Sequence, residues 1–118
     1  LSTVLVVEDH ADLREMLAVL LENEGFAVET ATNGAEALVA MRRARPSLIL
    51  LDLMMPVMSG DEFRRRQLAD PQYADVPVIC MTAAHDGYQR AERLHVAEYF
   101  QKPVDFDRLI SAVRAHVR

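Results

Sequence analysis

Apolar positions along this chain recur in two alternating rhythms. Short continuous runs, Val4-Leu5-Val6-Val7, Leu48-Ile49-Leu50-Leu51 and Val78-Ile79-Cys80-Met81, read as strands buried on both faces. Between them the spacing changes to that of a helix. Leu13, Met16, Leu17, Leu20 and Leu21 recur at i, i+3, i+4, i+7 and i+8, which predicts an amphipathic helix with all five inward, closed by Gly25. Phe26 to Ala31 then alternates as a strand, and Asn33-Gly34 turns the chain into a helix over Ala35 to Arg43, with Leu38 and Met41 inward. Pro46 forces an extended entry into the next run. A third helix is predicted from Asp61 to about Ala69, ended by Asp70-Pro71, and a weaker one from Tyr88 to Leu94. A short strand, Ala97 to Phe100, precedes a last helix capped by Asp105, with Leu109, Ile110, Val113 and Val117 on its inner face.

Five strands alternating with five helices specify an α/β domain with a parallel sheet, because parallel neighbours need crossover helices. The strand from Phe26 is the most polar and belongs at an edge, whereas those ending at Val7 and Leu51 are the most apolar and belong together at the centre. That gives the doubly wound order 2-1-3-4-5, flavodoxin-like, with a crevice where the winding reverses. The expectation is one domain over residues 1–118. The missing initiator methionine and the stop just after the last helix suggest a piece of something longer.

The polar residues at the ends of these runs bring the chemistry. Glu8-Asp9, Asp52, Thr82 and Lys102-Pro103 each follow an apolar run, so parallel strands would gather three carboxylates, a hydroxyl and an ammonium at one sheet edge. Three converging carboxylates repel one another, and a hard dication relieves the repulsion. Mg²⁺ suits the oxygen donors, whereas zinc would want His and Cys ligands. With Lys102 the formal charge of such a site is zero, which leaves the metal and the lysine able to offset an arriving phosphoryl group. Asp can serve as the nucleophile and form an acyl phosphate.

Composition narrows the classes. Of 118 residues, 51% are hydrophobic, which excludes a disordered chain, and no run approaches the ~20 apolar residues of a membrane span. There is no signal-peptide pattern, so a cytoplasmic protein is expected. The net charge of −5 argues against tight nucleic-acid binding, and Arg64-Arg65-Arg66 reads as a solvated helix face. Cys80 reads as a buried thiol, Met54, Met55 and Met58 as loop packing, and His10, His85, His95 and His116 have no ligand spacing to one another. His10 adjoins the acidic pair and is either exposed or a modifier of the site.

The segments Val6-Val7-Glu8-Asp9, Leu51-Asp52-Leu53-Met54-Met55-Pro56 with Gly60 beyond, Met81-Thr82-Ala83 and Tyr99-Phe100-Gln101-Lys102-Pro103 resemble, in order and spacing, the response-regulator receiver domain of two-component signalling. The resemblance covers the whole chain. It implies that Asp52 is the phosphoacceptor and that Glu8, Asp9, Asp52 and the backbone carbonyl of Met54 hold Mg²⁺. It further implies that Thr82 and Lys102 bind the phosphoryl oxygens, that Thr82 and Tyr99 form the switch, and that Lys102-Pro103 is a cis peptide. The implied donor is a histidine kinase or histidine phosphotransfer protein, and the implied output is partner binding, or homodimer formation, on the face of helix 4, strand 5 and helix 5. His95-Val96-Ala97-Glu98 departs from the family's glycine-bearing turn, and the long connection from Leu68 to Pro77 resembles receivers that stand alone or sit in hybrid kinases. Two other readings stand beside this one. An aspartyl-phosphate hydrolase of haloacid-dehalogenase type would need a second Asp where Met54 stands, and a receiver that works without phosphorylation would not need the acceptor set.

Overall fold

The computed structural model describes residues 2–118. Strands and helices alternate along the chain: β1 (Thr3–Val7), α1 (Ala11–Asn23), β2 (Ala27–Ala31), α2 (Gly34–Arg43), β3 (Leu48–Asp52), α3 (Gly60–Ala69), β4 (Val78–Thr82), α4 (Gly87–Arg93), β5 (Glu98–Gln101) and α5 (Phe106–His116). Among the described residues all four strand pairings are parallel, in the order β2-β1-β3-β4-β5, as the periodicity predicts. Val7 pairs with both Ala31 and Leu51, Asp52 with Met81, and Thr82 with Gln101, so the carboxyl ends of the strands lie along one edge.

Period-2 alternation splits each central strand between two cores. Leu5, Val7, Ile49, Leu51, Val78 and Cys80 pack under α2, α3 and α4 with Leu38, Met41, Phe63, Ala91 and Leu94. Val4, Val6, Leu48, Leu50, Ile79 and Met81 pack under α1 and α5 with Leu17, Leu21, Leu109 and Val113. Burial on both faces explains why these strands read as unbroken apolar runs. None of the described helices is long and apolar enough to cross a membrane.

Side-chain oxygens cap the helices where the sequence places them. Asn33 accepts from the amide of Glu36, Ser59 from that of Glu62 and Asp105 from that of Arg108. Gly25, at φ 95°, closes α1 in the left-handed conformation that glycine adopts without strain.

Three expectations are corrected. Met16 is 46% exposed, because Leu17 and Leu21 fill the inner row of α1 and a neighbouring position lies ~100° around the helix. Val117 lies just past the end of α5, yet still packs against the second core. The arginine triplet is not one solvated face. Arg65 and Arg66 pair with Glu62 at the surface, but Arg64 is buried on the side of Phe63 and Gln67. Its guanidinium donates to the carbonyls of Leu94 and His95, both at 3.1 Å, and to Gln67 Oε1 at 2.8 Å. These bonds also explain the turn before β5, where His95 takes φ 53° without being glycine and Arg64 grips its carbonyl.

Candidate functional site

The cleft at the reversal of winding, about 720 Å³, is lined by Glu8, Asp9, His10, Ala11, Leu13, Asp52, Met54, Ala83 and Lys102. Glu8 and Asp9 follow β1, Asp52 closes β3 and Lys102 follows β5, so the register of three strands fixes their spacing. Glu8 is fully buried and Asp52 nearly so, whereas Asp9 is exposed. Each offers a carboxylate oxygen, and these oxygens all lie within 4.8 Å of one another.

Lys102 answers that concentration of charge. Its Nζ donates to Glu8 Oε1 at 2.7 Å and to Asp52 Oδ2 at 3.1 Å. Burial works against the ammonium, but the bonds to Glu8 and Asp52 outweigh it and raise the lysine's pKa. For Glu8 the balance is opposite. Burial dominates and raises its pKa, although the bonds from Lys102 and from the His10 amide pull it down. His10 therefore touches the site through its backbone, donating to Glu8 Oε2 at 3.0 Å, while its ring Nδ1 accepts from Leu13 N at the start of α1. Arg14 adds a second brace by donating to the Glu8 carbonyl at 2.9 Å.

The remaining expected residues surround this core. The Met54 amide donates to Asp52 Oδ1 at 3.1 Å, which orients the Asp52 carboxylate, and Met54 is 54% exposed at the rim. Thr82 is buried, its hydroxyl accepting from the amide of Ala84 at 3.2 Å. Tyr99 lies one strand over, half-buried, with its ring edge-on to Tyr88 at 6.2 Å. Its hydroxyl and the Thr82 methyl both crowd Gly87, where an added Cβ would lie 2.8 Å and 2.5 Å from them. The Lys102–Pro103 peptide is cis.

No sequence signal marks Asp61 and Arg90, which pair across α3 and α4 beside the loop that follows Asp52. Neither follows an apolar run, and only the fold brings them together from 29 residues apart.

The model for the response regulator receiver domain matches residues 4–114. This chain belongs to the response-regulator receiver family. It is a signalling module of the two-component type. Among relatives, the DNA-binding response regulator MtrA of Mycobacterium tuberculosis is 39% identical over 117 residues, covering 98% of this chain and 50% of its own. The chain thus spans about half the length of the curated relatives it matches. Among solved receivers, the chemotaxis protein CheY4 of Vibrio cholerae superposes with a TM-score of 0.90 at 29% identity, covering 99% of both chains. The response regulator TrrA of Thermotoga maritima, solved in complex with Mg(2+)-BeF, gives a TM-score of 0.88 at 31% identity, covering 99% of this chain and 100% of its own.

The receiver's acidic cluster suits a hard divalent cation on its own chemistry. Its donors are all carboxylate oxygens, two from nearly or wholly buried residues, and a protein cation already lies between those two.

Proposed function

We propose that this receiver accepts a phosphoryl group from a phosphohistidine onto Asp52, with Mg²⁺ held by Glu8, Asp9, Asp52 and the carbonyl of Met54. The observation that carries this reading is the Lys102 ammonium bonded at once to Glu8 and Asp52, beside Asp9, at the sheet's switch point. A carboxylate oxygen of Asp52 attacks phosphorus in line, the P–N bond of the donor breaks, and its electron pair stays with the departing imidazole. The Met54 amide holds Asp52 in one orientation for this attack. Lys102, kept charged by its raised pKa, moves its bonds from the carboxylates to the incoming phosphoryl oxygens. Mg²⁺, when bound, neutralises phosphoryl charge as a Lewis acid.

Thr82 is the second phosphoryl ligand and the start of the switch. Rotation of the Thr82 side chain that brings its hydroxyl toward Asp52 also moves the methyl that lies against Gly87 beside Tyr99, which couples the cleft to the surface of α4, β5 and α5. That surface then binds an effector protein or domain, or a second copy of the chain. The module spans residues 1–118 as one domain, and it is a switch rather than a turnover enzyme. A hydrolase of haloacid-dehalogenase type needs an acid two residues after the nucleophile, and Met54 supplies none.

Incubation with Mg²⁺ and acetyl phosphate tests this by intact mass. One phosphate should be added, and none should be added without Mg²⁺ or in Asp52→Asn. Equal uptake by the substituted protein would remove Asp52 from the role.

A further inference from the structure

Helix α4 has only seven residues, too few to hold its place through its own hydrogen bonds. Arginines hold it from two sides. Arg64 of α3 grips the carbonyls of Leu94 and His95 just past its end. Arg90, within the helix, reaches back to α3, where Nε donates to Asp61 Oδ2 at 3.2 Å and Nη2 to Asp61 Oδ1. The two side chains are 19% and 16% exposed, so water screens the pair only partly. Asp86, 3.8 Å away, is its secondary partner.

The same guanidinium touches the acceptor loop. Arg90 Nη2 lies 3.5 Å from the carbonyl of Leu53, the residue after Asp52, and the Gly60 amide donates to that carbonyl at 3.1 Å. Gly60 rests so closely on the Asp52 carbonyl that no side chain fits between them. At its other end α4 begins at Gly87, which has no room for a Cβ against Thr82 and Tyr99. Thr82 and Arg90 are therefore linked through Gly87 and one turn of helix, and Arg90 is fastened to Asp61 and Leu53.

We propose that Arg90 is a positioning residue of the phosphoryl-accepting site. Its ion pair with Asp61 holds α4, and through Gly87 holds Thr82, in the arrangement where the Thr82 hydroxyl is bound by the amide of Ala84. This rests on the reading of Asp52 as phosphoacceptor. When Thr82 turns to a phosphoryl group, the start of α4 follows, and the Arg90 fork is drawn off Asp61. The ion pair and the phosphoryl group thus oppose each other, and by linkage each weakens the other to the same degree.

The test is the affinity of the intact chain for beryllofluoride, a phosphoryl mimic, in saturating Mg²⁺, followed by amide NMR shifts. Arg90→Gln and Asp61→Asn should each bind it about ten-fold more tightly than the wild type, within the usual range of a coupling between sites. The double variant should gain no more than either single one, and Arg90→Lys, which keeps the charge but loses the fork, should fall between. A merely structural pair would lower the melting temperature and leave the affinity unchanged, and that result overturns the proposal. If Arg90→Gln does not fold, the isosteric Asp61→Asn decides alone. A wild-type chain that binds no beryllofluoride overturns the phosphoacceptor reading itself, and the proposal with it.

Discussion

Met54 and Ala84 stand two residues beyond Asp52 and Thr82, and neither side chain carries a group that can order a water molecule. Hydrolysis of an acyl phosphate at Asp52 needs a water in line with the phosphorus. Met54, half-exposed at the rim, is long and flexible enough to lie across the cleft and obstruct that approach. The phosphorylated state is accordingly expected to be long-lived. Met54→Asn supplies a hydrogen bond worth about 1 kcal/mol to the attacking water, or roughly a five-fold faster decay. The measurement is the loss of phosphate with time in both proteins after the donor is removed. Equal or faster decay in the wild type would take the brake away from this side chain. Glu8, Asp9, Asp52, Thr82 and Lys102 were legible in the sequence because each follows an apolar run, and a parallel sheet gathers such positions at one edge. Arg90 and Asp61 were not, since their pairing depends on how α3 and α4 lie against each other.

Among the elements, α3 shows most plainly what a linear pattern conceals. Three consecutive arginines look alike in the sequence, yet on the helix they point in different directions, and the first falls beside Phe63 and Gln67. Once buried, Arg64 finds only neutral oxygen partners among the described residues, and burial lowers its pKa, with Cys80 opposing. Gln67 extends the network by donating to the carbonyls of Tyr73 and Val76, both at 3.0 Å, so α3 fastens the loops before both β4 and β5. Arg64→Ala takes the donor from two buried acceptors, the Leu94 carbonyl and Gln67 Oε1, and from the part-buried His95 carbonyl, and should cost about 3 kcal/mol. That corresponds to a fall in melting temperature of about 10 °C, against less than about 3 °C for Arg65→Ala, whose ion pair is exposed. Similar small losses for both would mean that the Arg64 network contributes little. The ends of the elements were read to within a residue or so because Asn33, Gly25 and Asp105 are strong local signals. The left-handed turn at His95 was hidden, because its support comes from Arg64, 31 residues away.

For the molecule as a whole, two groups tie stability to alkaline pH. Burial pushes the Cys80 thiol from 9.0 up to about 12, and the Lys102 ammonium is also raised, its bonds to Glu8 and Asp52 outweighing burial. Both hold their protons more tightly folded than unfolded, so their contributions are complete below about pH 9 and are lost as the pH rises toward 12. The melting temperature should fall as the pH rises from about 9 toward 12, and fall less in Cys80→Ala, in which there is no thiol to ionise. An identical fall in both proteins would remove Cys80 from the effect. The same sheet that buries Cys80 sets the acidic cleft at its switch point, and the place where a phosphoryl group attaches is the most direct test of that cleft's role. The chain should be incubated with Mg²⁺ and acetyl phosphate and reduced with borohydride, which converts an aspartyl phosphate to homoserine. Peptide sequencing by mass spectrometry then locates the product. Homoserine at position 52 and at no other aspartate is the expected result, and homoserine elsewhere, or none at all, would contradict the account.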